Sequence, residues 1–148
     1  MNYYKRFRQL RYRKDARLAA DTPKQILWID EDMLEGMTLG RSMRRVLSTV
    51  FPETPPIVHS GHEGAIDRLL ESSYIFIILD NDLYRGTAQG PGTLGEIKKI
   101  DEETPIIYTT SMPDEINDDI RGRVSEVIRT NDLPRRMAEL IEKYSKEE

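Results

Sequence analysis

From residue 25 onward the chain alternates short apolar runs with amphipathic segments, and few architectures accommodate that rhythm. The runs are Ile26–Leu27–Trp28–Ile29, Ile57–Val58, Tyr74 to Leu79, Ile106–Ile107–Tyr108 and Val127–Ile128. Each is continuously apolar rather than alternating, which fits strands of a parallel sheet covered on both faces. The run from Tyr74 to Leu79 is the most apolar and is expected at the centre of the sheet. Runs separated by helical segments imply right-handed crossovers, hence a doubly wound α/β fold.

The intervening segments carry the helical period. Leu39, Met43, Val46, Leu47 and Val50 mark a first helix, closed by Pro52 and Pro55–Pro56. Ile66, Leu69 and Leu70 make the face of a second. Ile97 and Ile100 face inward in a third, around Leu94–Ile100. Ile116 and Ile120 mark a short fourth in an acidic stretch. Leu133, Met137, Leu140, Ile141 and Tyr144 define a fifth, with Asp132 as its expected N-cap. Trp28 and the methionines read as core.

Residues 1–24 stand outside this alternation. They hold eight Lys and Arg against Asp15 and Asp21, a surplus of six; the whole chain is at −4, so the remainder carries −10. Tyr3, Tyr4, Phe7, Leu10 and Leu18 share one helical arc, interrupted by Arg11 and Lys14, and Pro23 marks a hinge. The expected organisation is therefore a basic helical arm, 1–24, and one domain, 25–148. The arm either packs its apolar stripe on the domain or on a second copy, or reaches an acidic partner through Arg6, Arg8, Arg11 and Arg13. A nucleic acid is one such partner, because an Arg–aromatic mixture suits phosphate contact and base stacking. The absence of cysteine excludes disulfides, thiolate nucleophiles and Cys-ligated zinc. No apolar run approaches a membrane span and no signal-peptide pattern opens the chain, so no membrane association and a cytoplasmic location are expected.

In an open α/β sheet, ligands bind beyond the carboxyl ends of the strands. Here the first strand ends in Asp30–Glu31–Asp32, the third in Asp80–Asn81–Asp82, the fourth in Thr109–Thr110–Ser111 and the fifth in Arg129–Thr130. Carboxylates from two strands, a hydroxyl from a third and a cation from a fourth would converge on one crevice. Clustered carboxylates repel one another unless a divalent cation sits among them. Oxygen ligands with open positions suit Mg²⁺, which keeps several waters and bridges to phosphate. A carboxylate beside the metal can act as a nucleophile toward phosphorus. Taken alone, Asp30, Glu31 and Asp32 are equally an acidic loop favouring a helix N-terminus.

In these residues the chain resembles the receiver domains of two-component response regulators, over about residues 25–146. Ile26–Leu27–Trp28–Ile29–Asp30–Glu31 is similar to the family's first strand and acidic pair. Asp80, after Ile77–Ile78–Leu79, falls where the family carries its phospho-accepting aspartate. Pro105 to Ser111 is similar to the fourth strand, with Thr110 at the switch hydroxyl, and Arg129 falls at the position of the family's Lys. The resemblance implies a flavodoxin-like sheet of order 2-1-3-4-5. It also implies Mg²⁺ held by Asp30, Glu31 and Asp80, with Asp80 as phospho-acceptor, Thr110 as phosphate sensor and Arg129 as counter-ion. The sequence departs from the family pattern at Arg129 for Lys, Thr130 for Pro, Glu126 for the switch aromatic and Tyr84 for Pro. Arg85 to Gly92 looks like an insertion.

Leu79–Asp80–Asn81–Asp82–Leu83 is also similar to the Leu-Asp-His-Asp-Leu motif of a divergent receiver branch proposed to process cyclic or terminal phosphates, with Asn81 in place of His. There Asp82 would be a further metal ligand or a base. His59 and His62 read as loop or strand-end residues. The glycine-rich stretch Gly86–Gly95 lacks the Gly-Lys-Ser/Thr of a phosphate-binding loop and reads as a mobile flap beside Asp80. Three functions remain open on the sequence. The first is a regulator acting through protein contacts with an upstream phosphodonor or a downstream target, since the chain ends at Glu148 straight after the fifth helix. The second is a metal-dependent phosphoesterase. The third is a non-catalytic adaptor that uses the arm and the receiver surface to bind another macromolecule; under any of the three the chain could form a homodimer.

Overall fold

The computed structural model describes residues 25–30, 57–81 and 90–145. Five strands form one parallel sheet: β1 (Gln25–Ile29), β2 (Ile57–Ser60), β3 (Tyr74–Asp80), β4 (Ile106–Thr110) and β5 (Glu126–Arg129). Their order is β2-β1-β3-β4-β5, as expected. The described helices are α1 (His62–Glu71), α2 (Gly90–Ile100), α3 (Asp118–Arg121) and α4 (Leu133–Ser145), with short 3-10 turns at Pro113–Glu115 and Thr130–Asp132.

Both faces of the sheet are covered, which is why the strands read as continuous apolar runs. On one face Ile26, Trp28, Phe76, Ile78, Ile107 and Ile128 pack with Leu133, Met137, Leu140 and Ile141 of α4. On the other, Leu27, Ile29, Ile77, Leu79, Ile106 and Tyr108 pack with Ala65 and Leu69 of α1, Leu94, Ile97 and Ile100 of α2, and Ile116 and Ile120. β3 is buried along its whole length, consistent with its central place. Burying each large aliphatic side chain contributes about 1.5–3 kcal/mol, so the two layers hold the strands in register.

Several boundaries differ from the sequence reading. α2 begins at Gly90, so Gly90–Gly95 are helical turns and not part of a flap. Pro91 is tolerated there because the first-turn N–H groups have no partner within the helix. His59 is at the end of β2, as read, whereas His62 opens α1 rather than sitting in a loop or at a strand end. Asp132 closes a 3-10 turn, and its carboxylate pairs with Arg135 at 3.1 Å. Met137 is core, but Met112, just beyond β4, is 55% exposed and is not. The short fourth helix exists because Asn117 caps it, its side chain accepting from the Ile120 N–H at 2.9 Å. Among the described residues no helix is long and apolar enough to cross a membrane. The first expected helix (39–50), the arm with Arg6, Arg8, Arg11 and Arg13, and the site residues Glu31 and Asp82 lie outside the described residues.

Candidate functional site

The chain passes from β1 outward to β2, then crosses back to place β3 on β1's other side. The topological switch point therefore lies between the carboxyl ends of β1 and β3, where a crevice opens in folds of this kind. Ile29 is in register with Leu79, so Asp30 and Asp80 occupy neighbouring positions at that point. Adjacent strands lie about 4.8 Å apart. Asp30 continues the row Ile26–Trp28 and Asp80 the row Phe76–Ile78, both rows belonging to the α4 face of the sheet. The two carboxylates are buried, at 4% and 6% exposure. Burial of two such groups side by side is costly unless positive charge compensates them.

The backbone fixes both positions. The Asp30 N–H donates to the Ser60 carbonyl at 3.0 Å, tying the end of β1 to β2. The Asn81 N–H donates to the Thr109 carbonyl at 2.8 Å, carrying the β3–β4 ladder one residue past Asp80. Asp80 is directly opposite Thr109, and Thr110 is opposite Arg129. Thr110 is buried at 2% exposure, and its hydroxyl oxygen accepts from the Met112 N–H at 3.2 Å. Arg129 is exposed at the end of β5, two strand spacings or about 10 Å of backbone from Asp80. Asp30, Asp80 and Thr110 thus share the strand ends, while Arg129 stands at their margin. Among the described residues no group of three or more His, Asp or Glu is gathered closely enough to hold a metal ion. Two carboxylates suffice for Mg²⁺, which is commonly held by one or two carboxylates with water and phosphate completing its shell.

Sequence reasoning missed a second feature. The Tyr108 hydroxyl donates to Asn81 Oδ1 at 2.5 Å from a fully buried ring. The Gly90 N–H donates to the Asn81 carbonyl at 3.3 Å. A Cβ on Gly90 would lie 2.7 Å from Asn81 Cα, 2.7 Å from the Tyr108 hydroxyl and 2.8 Å from the Asp80 carbonyl oxygen. Only glycine lets α2 start this close to the end of β3. The available signal was a tyrosine inside an apolar strand, since a buried phenol usually needs a hydrogen-bond partner.

At the other end of β5, Glu126 stands where the receiver resemblance expects an aromatic. Its Oε1 accepts from Arg136 at 2.9 Å, and its Oε2 accepts from the Tyr144 hydroxyl at 2.9 Å with Lys143 at 3.5 Å. Burial, then the hydrogen bond to Glu126, holds the Tyr144 phenol above the usual tyrosine range. The Glu126 charge likewise raises Lys143. These contacts clamp β5 to α4.

No protein-family model matches the sequence, and no curated protein is similar to it. Solved structures do match in fold. A CheY-like response-regulator receiver domain from Methylobacillus flagellatus aligns with a TM-score of 0.58 at 8% identity, covering 80% of this chain and 99% of that one. The response regulator TrrA of Thermotoga maritima, solved with Mg²⁺ and beryllofluoride, aligns at 0.56 and 20% identity, covering 79% and 98%. The receiver domain of a sensor histidine kinase from Pseudomonas aeruginosa, with magnesium in its active-site cleft, aligns at 0.57 and 13% identity, covering 85% and 100%. The fold is that of the response-regulator receiver domains.

Proposed function

We propose that this chain is a receiver-type regulator in which Asp80 accepts a phosphoryl group and Asp30 and Asp80 hold Mg²⁺. The observation that carries this reading is the pair of buried carboxylates at the switch point of the sheet. Two of the similar folds were solved with magnesium, which supports the same ion here. Glu31 and Asp82 are further candidate ligands by their places in the sequence. An Asp80 carboxylate oxygen would attack phosphorus as the donor's bond to phosphorus breaks, P–N in a phosphohistidine or P–O in an acyl phosphate, the leaving group keeping the electron pair. When bound, the ion neutralises charge on the carboxylate and phosphoryl oxygens. The Thr110 hydroxyl, at the adjoining strand end, would donate to a phosphoryl oxygen, and Arg129 would supply a counter-charge from the margin. The planar guanidinium of Arg129 suits two-point contact with phosphate oxygens, unlike a lysine point charge.

A protein phosphodonor or target is the proposed partner, since TrrA was also solved in complex with the histidine kinase ThkA. The arm residues Arg6, Arg8, Arg11 and Arg13 are proposed as an additional contact with an acidic partner. Trp28 lies two residues before Asp30 on the same face and provides the test. Titration with Mg²⁺ should change its fluorescence saturably, and Asp80→Asn should weaken binding by about tenfold or more, because a charged ligand is lost. Identical titrations in both proteins would overturn the assignment.

A further inference from the structure

A site that changes charge at Asp80 must pass that change to a neighbouring element if it is to signal. The described structure offers a short, tight route. Asn81 follows Asp80 directly and is gripped three ways: its N–H by the Thr109 carbonyl, its carbonyl by the Gly90 N–H, and its side-chain oxygen by the Tyr108 hydroxyl. Gly90 has no room for a methyl group against Asn81, Tyr108 and the Asp80 carbonyl. Close-packed contacts of this kind transmit displacements rather than absorb them. Tyr108 also lies two residues before Thr110 on β4 and belongs to the core layer that holds Leu94, Ile97 and Ile100 of α2. At β5, by contrast, Glu126 is held by Arg136, Tyr144 and Lys143 together.

We propose that Tyr108 is a positioning residue that couples the state of Asp80 to α2: its phenol holds Asn81, and Asn81 holds the first turn of the helix. This rests on the phosphoryl-acceptor reading of Asp80 and names the element that responds to it. Loading the site pulls on the end of β3, Asn81 follows, and the tightened contact with Gly90 restrains α2. Without the phenol, Asn81 retains its backbone bonds but loses the hydrogen bond that ties its side-chain oxygen to β4. Asp80 is then still able to load, and α2 no longer follows.

Hydrogen exchange on the full chain, with and without Mg²⁺ and beryllofluoride, tests the coupling, with Trp28 fluorescence reporting loading in the same samples. In the wild type, loading should slow exchange across residues 90–100 by about fivefold, the worth of one hydrogen bond. In Tyr108→Phe the site should still load, but the difference between loaded and unloaded exchange over 90–100 should vanish. Merely structural loosening would speed exchange in both states and leave their difference intact. Asn81→Leu, which removes the acceptor, should act like Tyr108→Phe, and the double variant should be no worse than either single one. If Tyr108→Phe proves too unstable to measure, Asn81→Leu tests the same tether from its other end. A wild-type-sized loading response in these variants would overturn the inference and leave the phosphoryl site standing. Failure of the wild type to bind Mg²⁺ and beryllofluoride would overturn both.

Discussion

Substituting Gly90 by alanine adds one methyl group where the structure has no space for it. The added Cβ would fall 2.7 Å from Asn81 Cα, 2.7 Å from the Tyr108 hydroxyl and 2.8 Å from the Asp80 carbonyl oxygen. Two of these neighbours are backbone atoms, so no rotamer change relieves them; either α2 or the end of β3 must move. Overpacking of this kind costs about 1–3 kcal/mol. Alanine's better helix propensity returns up to about 1 kcal/mol, less in a first turn. The expected net loss is about 1–2 kcal/mol, or roughly 3–6 °C in melting temperature for a chain of this size. Gly92, two residues along the same helix, is the internal control: a Cβ there meets nothing within 4 Å. Gly92→Ala should gain about 0.5–1 kcal/mol from propensity and reduced unfolded-state entropy. Paired urea and thermal melts should therefore move in opposite directions. Because the displaced carbonyl belongs to Asp80, Gly90→Ala should also weaken Mg²⁺ binding while Gly92→Ala leaves it unchanged. A Gly90→Ala protein as stable as the wild type would refute the tight junction between β3 and α2.

The clamp on β5 predicts a pH response. The folded-state values of Tyr144 and Lys143 are both raised, so their contribution is present below the unfolded values near pH 10 and is lost as pH rises through the folded values. Ultraviolet titration should place Tyr144 above an ordinary tyrosine, and Glu126→Gln should lower it without removing the part due to burial. Thr110→Ala should leave Mg²⁺ titration of Trp28 intact while weakening beryllofluoride binding by about fivefold, the loss of one hydrogen bond. Deleting residues 1–22 should leave a cooperative melt, because the sheet begins at Gln25, and binding of any acidic partner to the intact chain should weaken as salt rises. A large fall in melting temperature on truncation would instead make the arm structural.

The sheet was legible because burial on both faces writes itself into composition. Phe76, Ile77 and Ile78 point alternately into two different layers, so no polar residue interrupts them. The carboxylates were legible for the converse reason: Asp30 and Asp80 interrupt apolar runs at the edge where those layers end. α2 was harder to bound. Gly90, Pro91, Gly92 and Gly95 carry the composition of a loop, and only packing against Asn81 and Tyr108 makes Gly90 the start of a helix. The Tyr108–Asn81 bond joins residues 27 positions apart, and it exists only because the register sets Asp80 opposite Thr109. Arg129 was placed at a strand end correctly, but its distance from Asp80 depends on strand order, which spacing along the chain does not encode.

The role proposed for Asp80, a phosphoryl acceptor in a metal-dependent site, has a direct chemical test. The protein is incubated with a small acyl phosphate and Mg²⁺, and its intact mass is measured. The wild type should gain one phosphoryl group, labile to hydroxylamine as an acyl phosphate is. Asp80→Asn should gain none while keeping the wild-type circular dichroism. No adduct in the wild type, an equal adduct in Asp80→Asn, or turnover of a phosphate ester in place of a stable adduct would contradict that role.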